Sequence, residues 1–114
     1  MKRTNTRGSG RELVVFVTAS SRNEAKAIAT KLVRQRLAAC ATVVGVVDSI
    51  YRWKGKVERS RESMLIIKTT VARYSAVERE VRESHSYDVP EIIALPIDRG
   101  FSDYLAWIRS ETSK

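Results

Sequence analysis

Residues 42–70 read TVVGVVDSIYRW (Thr42–Trp53), KGK (Lys54–Lys56) and VERSRESMLIIKTT (Val57–Thr70). The first run is dense in Val, Ile, Tyr and Trp, which suit a pleated, half-buried surface, and it reads as a long strand. Lys54-Gly55 supplies a turn. Val57–Thr70 returns as a second long strand, charged at first and apolar through Met64–Ile67. The 12 residues of the first strand span ~40 Å at about 3.3 Å per residue. A domain of this length has a radius of gyration near ~13 Å and is only about 33 Å across. The hairpin centred on Gly55 is therefore expected to overhang its own domain. With Tyr51 and Trp53 on it, such an overhang reads as an assembly element, the alternative being a hairpin that bulges back onto its own sheet.

Upstream, Glu12–Ala19 is a short run of consecutive apolar, β-branched residues, as in a strand buried on both faces. Ser21 and Glu24 have the spacing of a capping box. Ala25, Ile28, Ala29, Leu32 and Val33 then form the apolar stripe of a helix over Arg22–Arg36. Downstream, Tyr74, Val77 and Val81 lie on one side of a helix over Arg73–Ser84. Glu91–Ile97 is a strand between Pro90 and Pro96, and proline's missing amide assigns it to an edge. Tyr104, Leu105, Trp107 and Ile108 mark a closing helix over Asp103–Arg109. The order β-α-β-β-α-β with an extra C-terminal helix is the ferredoxin-like split βαβ plan, an α+β fold. This fold carries many unrelated activities, so function does not follow from it.

The 114 residues are one domain's worth of chain, with 21 basic and 13 acidic side chains and a net charge of +8. Half of that excess lies in residues 1–11, which hold Lys2, Arg3, Arg7 and Arg11 and no acid. This segment has no apolar periodicity and reads as a disordered basic tail before a single domain over 12–114. It is very short for an organelle transit peptide. Cys40 is the only cysteine, which excludes an intrachain disulfide and a zinc site closed by cysteines, and suits a cytoplasmic setting. No apolar run is long enough to cross a membrane.

Five glycines, at 8, 10, 45, 55 and 100, write neither a phosphate-binding loop nor a dinucleotide fingerprint. Ser86, His85 and Asp88 are adjacent at a helix end, which is a poor triad. No catalytic group is expected, and no organic cofactor. His85 and Cys40 are the two side chains with real affinity for copper or zinc. For each there is a structural reading, a capping histidine and a small buried hydrophobe. A symmetric oligomer is one way to complete a metal site, with Glu62 or Glu91 brought alongside. Arg52, Lys54 and Lys56 alternate with Tyr51 and Trp53, as on a single-strand-binding surface. Glu58 and Glu62 follow closely, the mixture that protects a solvated edge, so nucleic acid is not an expected partner.

The chain resembles the CutA family, the divalent-cation-tolerance proteins, from about Leu13 to Ile108. The resemblance rests on Val17-Thr18-Ala19, Leu37–Cys40 and Ser49–Lys56, then Glu62 and Lys68-Thr69, then His85–Ile92, Pro96 and Tyr104–Trp107. It implies a tight homotrimer in which strands of the long hairpin pair between subunits, and a role in tolerance of divalent metals, copper above all, without established catalysis. It implies His85 as a metal ligand, with Cys40, a candidate on its side-chain chemistry, at a matching family position, and inter-subunit clefts lined by Tyr51, Trp53, Lys68, Tyr87, Glu91 and Tyr104. Similar clefts in PII signalling proteins bind small effectors, so a small-molecule or protein partner is the second reading. Val17 stands where copper-binding members have a cysteine, and Ser84 where some have a further histidine.

Overall fold

A computed structural model describes residues 11–113, so the reading of the basic tail lies, except for Arg11, outside the described residues. The elements are β1 (Glu12–Ala19), α1 (Arg22–Arg34), β2 (Cys40–Trp53), β3 (Lys56–Thr70), α2 (Val71–Ser84), β4 (Ile92–Pro96) and α3 (Ser102–Glu111). They form one antiparallel sheet in the order β2-β3-β1-β4. β3 separates β1 from β2, the split βαβ arrangement, and β4 is an edge strand as its prolines require.

Side-chain alternation divides the sheet into two unlike faces. Leu13, Val15, Val17, Leu65 and Ile67 point to one side and are buried against Ala25, Ile28 and Leu32 of α1 and Val77 and Val81 of α2. Val14, Phe16, Met64, Ile66, Ile93 and Leu95 alternate with them and point to the other side, away from that core. Ile93 and Leu95 are more than half exposed there, at 53% and 54%. α3 closes one end of the sheet through Leu105 and Ile108, packed with Ala39 and Ile97.

The hairpin overhangs. β1 pairs with β3 only over Ser63–Thr70, so Lys56–Glu62 is paired with β2 alone. The protomer measures 55 × 26 × 23 Å, and the two-stranded arm supplies the long dimension. Gly45 is an extra residue in β2, a bulge between Val44 and Val46 where the sheet gives way to the arm. At the tip Lys54 (φ 51°) and Gly55 (φ 80°) both have positive φ, the two-residue turn whose twist matches the strands.

That turn corrects one sequence expectation. Trp53 lies opposite Lys56 and Arg52 opposite Val57, so Arg52 and Lys56 are on opposite faces of the arm, and Lys54 belongs to neither strand. A period of two does not run through a turn, and Arg52, Lys54 and Lys56 form no common basic face.

Helix boundaries differ where caps decide them. α1 stops at Arg34 rather than Arg36. Gln35 caps it, Arg36 enters the left-handed region (φ 60°), and the Leu37 and Arg36 amides donate to the Leu32 and Val33 carbonyls at 2.9 and 3.1 Å. This Schellman closure normally uses glycine. Here the Arg36 guanidinium instead donates to the carbonyls of Ser110 and Ser113, tying the helix end to α3.

Candidate functional site

The candidate residues fall into two clusters and two isolated positions. The first cluster lies where β1 ends and the arm begins. His85 caps α2 in extended conformation, which turns its ring toward the end of β1. Its Nε2 lies 2.6 Å from the Thr18 carbonyl oxygen, and its Nδ1 lies 3.0 Å from the Tyr87 amide nitrogen. A carbonyl can only accept and an amide can only donate, so Nε2 carries the proton and Nδ1 uses its lone pair on Tyr87. The Tyr87 ring packs on the imidazole at 4.7 Å between centroids. Its hydroxyl donates to Glu62 Oε2 at 2.7 Å. Burial first, then the Glu62 hydrogen bond and charge, push the Tyr87 hydroxyl far above its ordinary pKa, so it stays a donor. Tyr51, on the same face of the arm as Glu62, shares a hydroxyl contact with Ser60 at 2.7 Å.

Glu24 anchors this cluster from the other side. Ser21 Oγ accepts from the Glu24 amide at 3.1 Å, as the capping box requires, but the return bond goes to the Ser20 amide at 2.9 Å. The same carboxylate accepts from the Ser86 amide at 2.9 Å. Burial acts to raise the Glu24 carboxyl, but the Ser20 and Ser86 hydrogen bonds outweigh it and hold its pKa below the ordinary value. The part Ser20 and Ser86 play in holding Glu24 was not legible, because nothing local announces the Glu24–Ser86 bond across 62 positions.

The second cluster is at the opposite end of the sheet. Cys40 and Lys68 are register partners on β2 and β3, with Lys68 Nζ 3.8 Å from Cys40 Sγ. Tyr104 of α3 reaches the same thiol, hydroxyl to sulfur 3.8 Å, and its ring centroid is 5.9 Å from Lys68 Nζ. Burial foremost, then the Cys40 contact, raises the Tyr104 pKa. Trp107, one helical turn along, lies 5.4 Å from the Tyr104 ring. Its i, i+3 spacing from Tyr104 was the available signal for adding it to the site. Trp53 is at the arm tip with Lys54 Nζ 5.9 Å over its ring, and Glu91 is exposed just before β4.

His85 and Cys40 are therefore not brought together. His85 binds at Thr18, whereas Cys40 lies at the level of Val14, the β1 partner of Lys68. Those levels are about 13 Å apart along the strand. With both His85 nitrogens engaged and the thiol elsewhere, these side chains do not fit a copper site within the protomer. Among the described residues no group of three or more His, Cys, Asp or Glu side chains could hold a metal ion. Two open depressions, ≈ 350 Å³ on the arm and ≈ 280 Å³ at the start of α1, are lined by neither His85 nor Lys68. Among the described residues no helix is long and apolar enough to cross a membrane.

Sheet order, helices and arm define a ferredoxin-like α+β protein with a projecting hairpin. The model of the family described as CutA1 divalent ion tolerance protein matches residues 13–111. The chain belongs to that family. It is 45% identical to the divalent-cation tolerance protein CutA of Thermus thermophilus, over 89% of this chain and 98% of that protein. The solved Thermus structure superposes with a TM-score of 0.88 at 44% identity, covering 90% of this chain and 99% of that one. The CutA1 structure from Oryza sativa gives 0.88 at 38% identity, over 97% and 99%. Against the chloroplastic protein CutA of Arabidopsis thaliana identity is 42% over 88% of this chain, which spans only 55% of that protein's length.

Proposed function

We propose that the chain serves divalent-cation tolerance as a non-enzymatic, cytoplasmic homotrimer that binds a small effector or a protein partner in clefts between subunits, its link to metal being indirect. The observation that carries this reading is His85, whose two ring nitrogens are both held by backbone groups, so that it offers no lone pair to a cation. Assembly is supported by the apolar sheet face opposite the core and by the outer edges of β2 and β4, on which no strand lies among the described residues. An exposed edge of 14 residues invites pairing unless it is covered.

A second reading of divalent ion tolerance, the role named in the family description, is that Cu(II) binds directly through His85. That requires the ring to release Thr18 or Tyr87. A Cu(II) titration against a competing chelator at neutral pH, on the wild type and His85→Ala, separates the two. Weak binding that is equal in both is the expected result. A tight site lost in the variant overturns the indirect reading in favour of copper. Sedimentation should give three times the 12.9 kDa protomer mass, and a monomer at working concentration would sink the trimer.

A further inference from the structure

We infer that the corner formed by Lys68, Tyr104 and Trp107 binds a small organic carboxylate with a flat apolar body; this deepens, and rests on, the effector-binding reading above. Lys68 is half-buried on β3, facing the side of the sheet away from the α1–α2 core. Its ammonium touches a thiol and overlies a phenol ring, neither of which is a counter-charge. Among the described residues no carboxylate oxygen lies within 4.0 Å of Lys68 Nζ. Glu12, two residues along β1 from the Lys68 partner Val14, is fully buried and ion-paired with Arg109 of α3. A half-buried ammonium with no anion is costly, and a bound anion removes that cost.

The surroundings select the anion. One cation serves a monoanion, and Arg109 of α3 already has its partner in Glu12. Tyr104 and Trp107 are 39% and 40% exposed, with rings 5.4 Å apart and 34° from parallel. They offer aromatic surface beside the charge, where a planar body can stack. The Tyr104 hydroxyl, kept protonated, can donate to a carboxylate oxygen. The competing occupant is a carboxylate of a second copy of the chain.

The test uses benzoate as the probe and benzamide as its neutral counterpart, followed by Trp107 fluorescence in the full chain carrying Trp53→Phe. Saturable binding of benzoate is expected, with benzamide about tenfold weaker and a similar loss in Lys68→Gln, as for a hydrogen bond to a charged group. Lys68→Arg should retain binding. No saturable binding, or binding indifferent to Lys68→Gln or to the charge of the probe, overturns the site. So does a drop in oligomeric mass in Lys68→Gln, because a neighbouring subunit then supplies the anion. Failure with benzoate while copper also fails to bind His85 removes only this site. A tight His85-dependent copper site removes the reading beneath it.

Discussion

The Glu24 carboxylate receives four hydrogen bonds, from the amides and hydroxyls of Ser20 and Ser86. It thus joins the start of α1 to the loop that carries His85 and Tyr87. Its folded pKa lies below the ordinary value of 4.5. Between those two values the unfolded chain binds more protons, so stability rises with pH there. The stabilisation is fully present above pH 4.5 and is lost as pH falls through the depressed folded value. Urea unfolding across that acid range should show the slope, and Glu24→Gln should flatten it; an unchanged slope would detach Glu24 from the latch. Ser21→Ala removes the side-chain cap of α1 and should cost about 1 kcal/mol, read from the same urea midpoints.

At the scale of elements, the arm turns on two residues with positive φ, of which only the second is glycine. Asparagine tolerates this conformation better than lysine, and Asn-Gly is the favoured sequence of such a turn. Lys54→Asn should therefore stabilise the hairpin by about 0.5 kcal/mol. Hydrogen exchange at the amides of Arg52 and Val57 should slow, and faster exchange would contradict the turn assignment. The bulge at Gly45 matters in another way. It changes which β2 residues face the core side, so that Val46 is on the face of Ser63 and is 69% exposed where no helix follows.

At the scale of the molecule, one sheet face is covered by α1 and α2, and the other carries Phe16, Met64 and Ile66 with Ile93 and Leu95 exposed. Burying such a face is a strong drive to associate. In the proposed trimer, Phe16→Glu should lower the oligomeric mass at micromolar concentration while leaving the core residues Val15 and Val17 in place. Tyr51→Ala or Trp53→Ala should each weaken association by about 2 kcal/mol if the arm reaches a neighbour, since buried aromatics dominate interfaces. Sedimentation equilibrium checks all three, and unchanged mass and dissociation constants in all of them would place the contacts elsewhere.

The order of elements was legible in the sequence because it depends on local periodicity. The apolar stripe of α1, the prolines around β4 and the length of the strands flanking Lys54-Gly55 carry their information within a few residues. The overhanging arm followed from length alone, since the 12 residues Thr42–Trp53 span ~40 Å as a strand while a domain of this length is only about 33 Å across. What only the tertiary structure decided is which side chains meet. His85 is held by Thr18 and Tyr87, Glu24 by Ser86, and Lys68 lies beside Cys40 and Tyr104. The two metal-affine residues were paired by chemical type, and the sheet register separates them. Even the faces of the arm depend on the turn, whose two residues reset the alternation that composition suggested. Periodicity fixes an element by neighbours in sequence; a site is fixed by register and packing between elements, which no local pattern encodes.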